Sequence, residues 1–152
     1  MKADRGAVCD LLAEYGALID MAKFDEWLDL FAEDCRYQIL PRENFERGLP
    51  AALVYCDSRA MLEDRIRALR EANKYNIHTD RHVIGLPRIL DDGLAVEAPF
   101  AVYQTDQEGE TRLFATGLYR DRLEISGLRL TIRDKLILLD TFAIPSLLAT
   151  PL

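Results

Sequence analysis

At 152 residues the chain has the length of about one domain, enough to bury roughly 68–70% of its unfolded surface in a core of its own. Lys plus Arg number 19 against 26 Asp plus Glu, a net charge of −7, so there is no general basic surface for nucleic acid or for an anionic membrane. The 49% hydrophobic content excludes a disordered chain, and no run reaches the ~18 apolar residues of a membrane span.

The start, Met1-Lys2-Ala3-Asp4-Arg5, is charged and lacks the apolar stretch of a signal peptide, so the expected location is cytoplasmic. Cys9, Cys35 and Cys56 are odd in number and widely spaced. They predict no disulfide framework and a reducing compartment, with the thiols serving as small core side chains. No repeat or linker divides the sequence, and residues 1–152 read as a single domain.

In the first third, Val8, Leu11, Leu12, Tyr15, Leu18, Ile19 and Ala22 recur at three- and four-residue steps, one apolar stripe of an amphipathic helix. A short second helix is predicted where Phe24, Trp27, Leu28 and Phe31 share a face opposite Asp25, Glu26 and Asp29, with Asp34 as a turn residue ending it. Residues 35–39 alternate like a short strand stopped by Pro41. A polar loop or single helical turn over 42–50 and a short strand over 53–56 come next. A third helix is predicted over 58–73, capped by Asp57 or Ser58 and buried through Met61, Leu62, Ile66 and Leu69. Charge pairs Glu63–Arg67 and Arg67–Glu71 support it at about 0.2–0.5 kcal/mol each.

The second half reads as strands over 82–90, 95–105, 113–125 and 128–139, separated by Asp91-Asp92-Gly93, the 106–110 loop and Ser126-Gly127. In the last strand Leu128, Leu130, Ile132, Leu136 and Leu138 are expected on one face, with Arg129, Thr131, Arg133 and Lys135 on the other. Short connections without helices imply an antiparallel meander. Helices first and strands after define an α+β domain, a curved sheet wrapped over a long helix as a cone.

Few residues offer chemistry. The two histidines, His78 and His82, would stack on a helix but lie roughly 13 Å apart on an extended segment at ~3.3 Å per residue. Extended is the reading after a helix stop at Asn73, with His78 facing solvent and His82 hydrogen-bonded. There is no C-x-x-C pair and no phosphate-binding glycine loop, and Ser58, Ser126 and Ser146 suggest no triad. A cone pocket could still hold a base, Asp20 or Asp34, with Tyr15, Tyr37 or His82 as hydrogen-bond donor. Arg59, Arg65, Arg67 and Arg70, interleaved with acidic residues, read either as a solvated helix face or as a protein interface.

The stretch from Leu40-Pro41-Arg42-Glu43-Asn44-Phe45-Glu46-Arg47 through Gly48-Leu49-Pro50, followed by Asp57-Ser58-Arg59-Ala60-Met61-Leu62-Glu63-Asp64-Arg65-Ile66, resembles the small (beta) subunits of aromatic-ring-hydroxylating dioxygenases. Upstream, Phe24-Asp25-Glu26-Trp27-Leu28-Asp29-Leu30-Phe31 and Asp34-Cys35-Arg36-Tyr37 are similar to that family's opening. Downstream, Ala68-Leu69-Arg70-Glu71-Ala72-Asn73, Arg81-His82-Val83-Ile84-Gly85-Leu86-Pro87 and the ending Thr150-Pro151-Leu152 resemble the subset acting on terephthalate and salicylate. The start also lacks the longer extension of some naphthalene- and biphenyl-type small subunits, which favours the same subset.

The resemblance implies a cystatin-like cone of the nuclear transport factor two superfamily. It implies no catalytic residue, cofactor or metal on this chain, and a large alpha subunit as partner that carries a Rieske 2Fe-2S cluster and a mononuclear iron. A homotrimer of small subunits would form the core of an alpha3beta3 hexamer. Expected interface residues are Arg42, Asn44, Glu46 and Arg47 in the loop, Arg59 and Arg65 on the third helix, and Tyr119, Arg129 and Arg133 on the sheet. The ligand arithmetic agrees, because a Rieske centre takes two Cys and two His and the mononuclear iron two His and a carboxylate. Two histidines cannot supply four. The competing readings are a stand-alone cone dehydratase or isomerase, excluded if Leu11, Phe31, Phe100 and Phe114 plug the interior, and a binding module without chemistry.

Overall fold

The structure, a computed structural model, describes residues 2–49, 52–72, 77–140 and 151–152. The sequence expectations placed on Pro50, Asn73, Ser146 and Thr150 lie outside the described residues. The first helix, α1, spans Arg5–Asp20; the Asp4 carboxylate caps it by accepting from the Ala7 N–H at 3.0 Å. Its C-terminus closes with Lys23 N–H on the Leu18 carbonyl, which places Ala22 in the left-handed region at φ 56°. The helix α2 (Phe24–Leu28), the strand β1 (Phe31–Pro41) and the one-turn helix α3 (Arg42–Glu46) come next. They lead into β2 (Val54–Cys56) and α4 (Arg59–Ala72), whose first turn is capped by the Ser58 hydroxyl on Met61 N–H at 3.2 Å. Along α4, Arg59 pairs with Glu63 at 3.7 Å and Arg67 with Asp64 at 3.3 Å.

The remaining strands are β3 (Thr79–Ile84), β4 (Arg88–Ile89), β5 (Ala95–Thr105), β6 (Thr111–Ser126) and β7 (Arg129–Leu139). The stretch expected as one strand over 82–90 is two, interrupted at residues 85–87. The sheet order is β2-β1-β7-β6-β5-β3, with β4 also on β5. Strands β5, β6 and β7 form the expected antiparallel meander, but β1 lies parallel to β7. Asp34 falls within β1 rather than ending a helix.

The helices cover the concave face. From α1, Val8, Leu12, Tyr15, Leu18 and Ile19 are buried; they meet Trp27, Phe31, Tyr37, Phe100 and Tyr119 in one cluster. The register of β6 on β7 shifts between Arg122, opposite Asp134, and Leu123, opposite Ile132. Arg133 is therefore an extra residue, and the inward-facing set changes phase there. Ile132, Lys135 and Ile137 point into the core, so the expected pairing of Lys135 with the arginine face is corrected.

Gly117 sits on β6 directly opposite Leu139 of β7. A Cβ there would run into the Leu138 carbonyl oxygen and come within 3.0 Å of the Phe100 ring. Because backbone cannot yield as a side chain does, Gly117→Ala is expected to lower unfolding stability by about 3 kcal/mol, measured by urea denaturation. Cys35 and Cys56 are buried free thiols, and desolvation pushes Cys35 up to about 11.

Candidate functional site

The residues expected at a subunit interface fall into separate groups. Arg42, Asn44 and Glu46 lie on α3, and Arg47 caps its C-terminus. Arg42 reaches Asp140 at 2.8 Å and Glu46 at 3.8 Å, while Arg47 holds Glu43 at 2.8 Å. The exposed Phe45 ring lies under the Arg120 guanidinium, 5.6 Å from its centroid, so this one-turn helix presents an aromatic ring amid charges.

Arg59, Arg129 and Arg133 gather at the other end of β1. Arg59 lies 3.6 Å from the Asp29 carboxylate and donates to the Phe31 carbonyl, and Arg129 donates to the Asp29 carbonyl at 2.8 Å. Arg133 bridges Asp34 at 3.3 Å and Glu124 at 3.4 Å. The length of β1 separates the two groups by about 30 Å at ~3.3 Å per residue. Arg65 is half-buried on α4, C-terminal to Arg59. Tyr119 belongs to neither group: it is fully buried, and its ring stacks on Phe100 at 4.2 Å with planes 3° apart. Its assignment to a surface is corrected, because residues 117, 119, 121 and 123 of β6 all face the core.

Inside the cone the fold brings together groups far apart in sequence. The Asp20 carboxylate at the end of α1 accepts from two nitrogens of His82 on β3, the main-chain N–H at 2.9 Å and Nδ1 at 2.7 Å. A Cβ on Gly16 would sit 3.2 Å from the His82 Cβ, so a small residue there lets α1 lie against β3. Lys135 and Asp121 form a wholly buried ion pair at 2.9 Å. The ammonium also lies 3.5 Å from the Tyr119 ring centroid and 4.1 Å from that of Tyr15. Burial pushes the Asp121 carboxyl up and the Lys135 amine down, each offset in part by its partner. The hydroxyls of Tyr15 and Tyr37 both point to the Leu152 main-chain oxygen, and the Leu152 side chain is buried beside them.

This arrangement does not favour the dehydratase or isomerase reading. Both oxygens of Asp20 are engaged by His82, and Asp34 sits on the surface with Arg133. Leu11, Phe31, Phe100 and Phe114 are all buried in the core. His82 is hydrogen-bonded as expected, on an extended segment; His78 is partly buried against Asp80 at 3.3 Å rather than facing solvent. Among the described residues no group of three or more His, Cys, Asp or Glu is placed to hold a metal ion. No helix among them is long and apolar enough to cross a membrane.

Asp20 and His82 were both legible as chemistry-bearing residues, but their pairing across 62 positions was not. Lys135 and Asp121 were missed altogether. The signal available was their sequence context, a lysine and an aspartate each flanked by strand residues, and only the bulge at Arg133 turns Lys135 inward.

A family model described as ring hydroxylating beta subunit matches residues 16–146. The chain is 38% identical over 144 residues to a terephthalate 1,2-dioxygenase terminal oxygenase component subunit beta from Comamonas sp, covering 92% of this chain and 93% of that protein. It is 36% identical over 137 residues to the anthranilate 1,2-dioxygenase small subunit of Burkholderia cepacia, covering 88% and 85%. A crystal structure from Novosphingobium aromaticivorans, described as the beta subunit of an aromatic-ring-hydroxylating dioxygenase, superposes with a TM-score of 0.88 at 42% identity, covering 97% of this chain and 96% of that one. With this likeness the curved, unclosed sheet and its helices are the expected cone fold.

Proposed function

Because this chain belongs to the ring-hydroxylating dioxygenase beta-subunit family, we propose that it is the structural, non-catalytic subunit of a multicomponent oxygenase that degrades aromatic compounds. Its partner is a large alpha subunit that bears the Rieske cluster and the mononuclear iron, and the assembled enzyme works in the cytoplasm as an alpha3beta3 hexamer around a trimer of these chains. One observation carries the assignment of chemistry to the partner. The chain has two histidines, and each already faces a carboxylate of its own, His82 with Asp20 and His78 with Asp80. Four are needed for the two iron centres.

The two charged groups at opposite ends of β1 support the assembly. Distinct patches that meet different neighbours make a heterologous contact, the kind that closes into rings. The α3 patch, with Phe45 exposed between Arg42 and Arg47, has the aromatic and arginine character of an interface anchor.

Arg47→Glu tests this surface. The Arg47 side chain is 67% exposed and its ion pair among the described residues is with Glu43, so folding is expected to be unchanged by circular dichroism and melting temperature. Recovery of the complex after co-expression with the alpha subunit is expected to fall at least ~10-fold. An unchanged hexamer yield would place the interface elsewhere.

A further inference from the structure

Residues 151–152 reach the core of the cone. Pro151 is buried, and the Leu152 side chain, 1% exposed, belongs to the same apolar cluster as Trp27, Phe31 and Tyr119. There the backbone of Leu152 meets two tyrosines, 137 and 115 positions away in sequence. The Tyr15 hydroxyl on α1 donates to the Leu152 main-chain oxygen. The Tyr37 hydroxyl on β1 accepts from the Leu152 N–H at 3.2 Å and lies 3.5 Å from the same oxygen.

A site holds a ligand in this way, with an apolar side chain taken into an aromatic wall and the polar atoms fixed by a few placed groups. Buried backbone costs free energy unless its donors and acceptors are paired. Proline has no N–H, so the pair Pro151–Leu152 brings a single amide hydrogen into the core, and Tyr37 takes it. The two tyrosines are positioned by other rings. Their centroids lie 5.7 and 6.0 Å from that of Trp27, and each is 6.3 Å from Phe31, so α1, α2 and β1 build the seat between them. We propose that Tyr15 and Tyr37 form a binding seat for a leucyl peptide, and that residues 151–152 of the same chain occupy it as a tethered ligand. The seat reads one main-chain N–H, one main-chain oxygen and an aliphatic side chain. Tethering gives a segment an effective concentration on the order of millimolar, so a free peptide enters only when the tethered one is weakened.

The test uses the full chain. In the wild type the Leu152 amide is expected to exchange with solvent at least ~1000-fold more slowly than in an unfolded peptide, read by nuclear magnetic resonance. Tyr37→Phe removes the acceptor and is expected to speed that exchange at least ~10-fold more than it speeds the amides of β5. Leu152→Ala is expected to lower the melting temperature by roughly 5–15 °C, because a buried leucine side chain is lost. The peptide acetyl-Ala-Thr-Pro-Leu, the sequence of residues 149–152, should then raise the melting temperature of Leu152→Ala saturably at millimolar concentration. It should leave the wild type unchanged, and acetyl-Ala-Thr-Pro-Gly should act on neither protein. Rapid exchange of the Leu152 amide in the wild type would overturn the proposal whether or not the variants fold. So would a Leu152→Ala protein that melts with the wild type, or one that responds equally to the two peptides.

Discussion

Lys135→Met is expected to lower the unfolding free energy by about 3–5 kcal/mol at neutral pH, read from chemical denaturation. Both side chains of the Lys135–Asp121 pair are out of solvent, so the substitution leaves a carboxylate in the core without its counter-charge. Asp121 is held above its ordinary range by desolvation, against which Lys135 is the main restoring influence. With the lysine gone the folded carboxyl rises further. The penalty is then absent below the unfolded carboxylate value of about 4 and grows as pH increases, because the unfolded chain gives up its proton first. Combining Lys135→Met with Asp121→Leu removes both desolvation penalties and is expected to restore stability to within about 1 kcal/mol of wild type or above it. A single substitution that costs no more than the double one would mean that the pair is solvated.

The second large effect is alkaline. Tyr15, Tyr37 and Tyr119 are wholly buried, and desolvation is the first cause that raises each above its ordinary value. A group whose folded value is raised contributes stability that is complete below its unfolded value, here about 10, and is lost as pH climbs toward the folded one. Three such groups predict a loss of about 4 kcal/mol for each pH unit above 10. Lys135, held below its ordinary value by burial, acts in the opposite sense, but its contribution ends near 10.5 where the unfolded lysine titrates. Against a typical total of about 5–15 kcal/mol, a loss of about 12 kcal/mol by pH 13 brings the domain to or near cooperative unfolding. Ultraviolet absorbance of tyrosinate should rise together with the loss of ellipticity. Stepwise ionisation of these tyrosines in a folded protein would contradict the burial seen here.

What the sequence makes legible follows from the range of the interactions involved. The apolar stripe of α1, the Ser58 cap of α4 and the alternation of β5 are local patterns, and each element appears where its period places it. The partnership of β1 with β7 joins residues about a hundred positions apart, and nothing in either strand's own pattern announces that they run parallel. The misplacement of Lys135 has a different origin. Strict alternation holds only until a bulge, and the extra residue at Arg133 carries Lys135 to the inner face.

The candidate surfaces divide in the same way. Arg42, Asn44, Glu46 and Arg47 were recognisable as a unit because they are contiguous on α3. That Arg59, Arg129 and Arg133 converge on the stretch from Asp29 to Asp34 depends on tertiary packing, with Arg129 reaching back 100 positions to the Asp29 carbonyl. The acidic residues between the arginines of α4 were correctly a source of ion pairs, but their register depends on rotamers that spacing alone does not choose.

The division of labour between this chain and an iron-bearing partner is tested most directly by producing it alone and together with its alpha subunit, then measuring bound iron and NADH-dependent oxygen uptake after supplying the electron-transfer components. The account predicts that the lone chain is folded, free of tightly held iron and inert, and that it co-purifies with the alpha subunit in a complex that contains iron and consumes oxygen with an aromatic substrate. Iron retained by the lone chain, turnover of an aromatic compound by it, or an alpha subunit that never captures it would contradict that division.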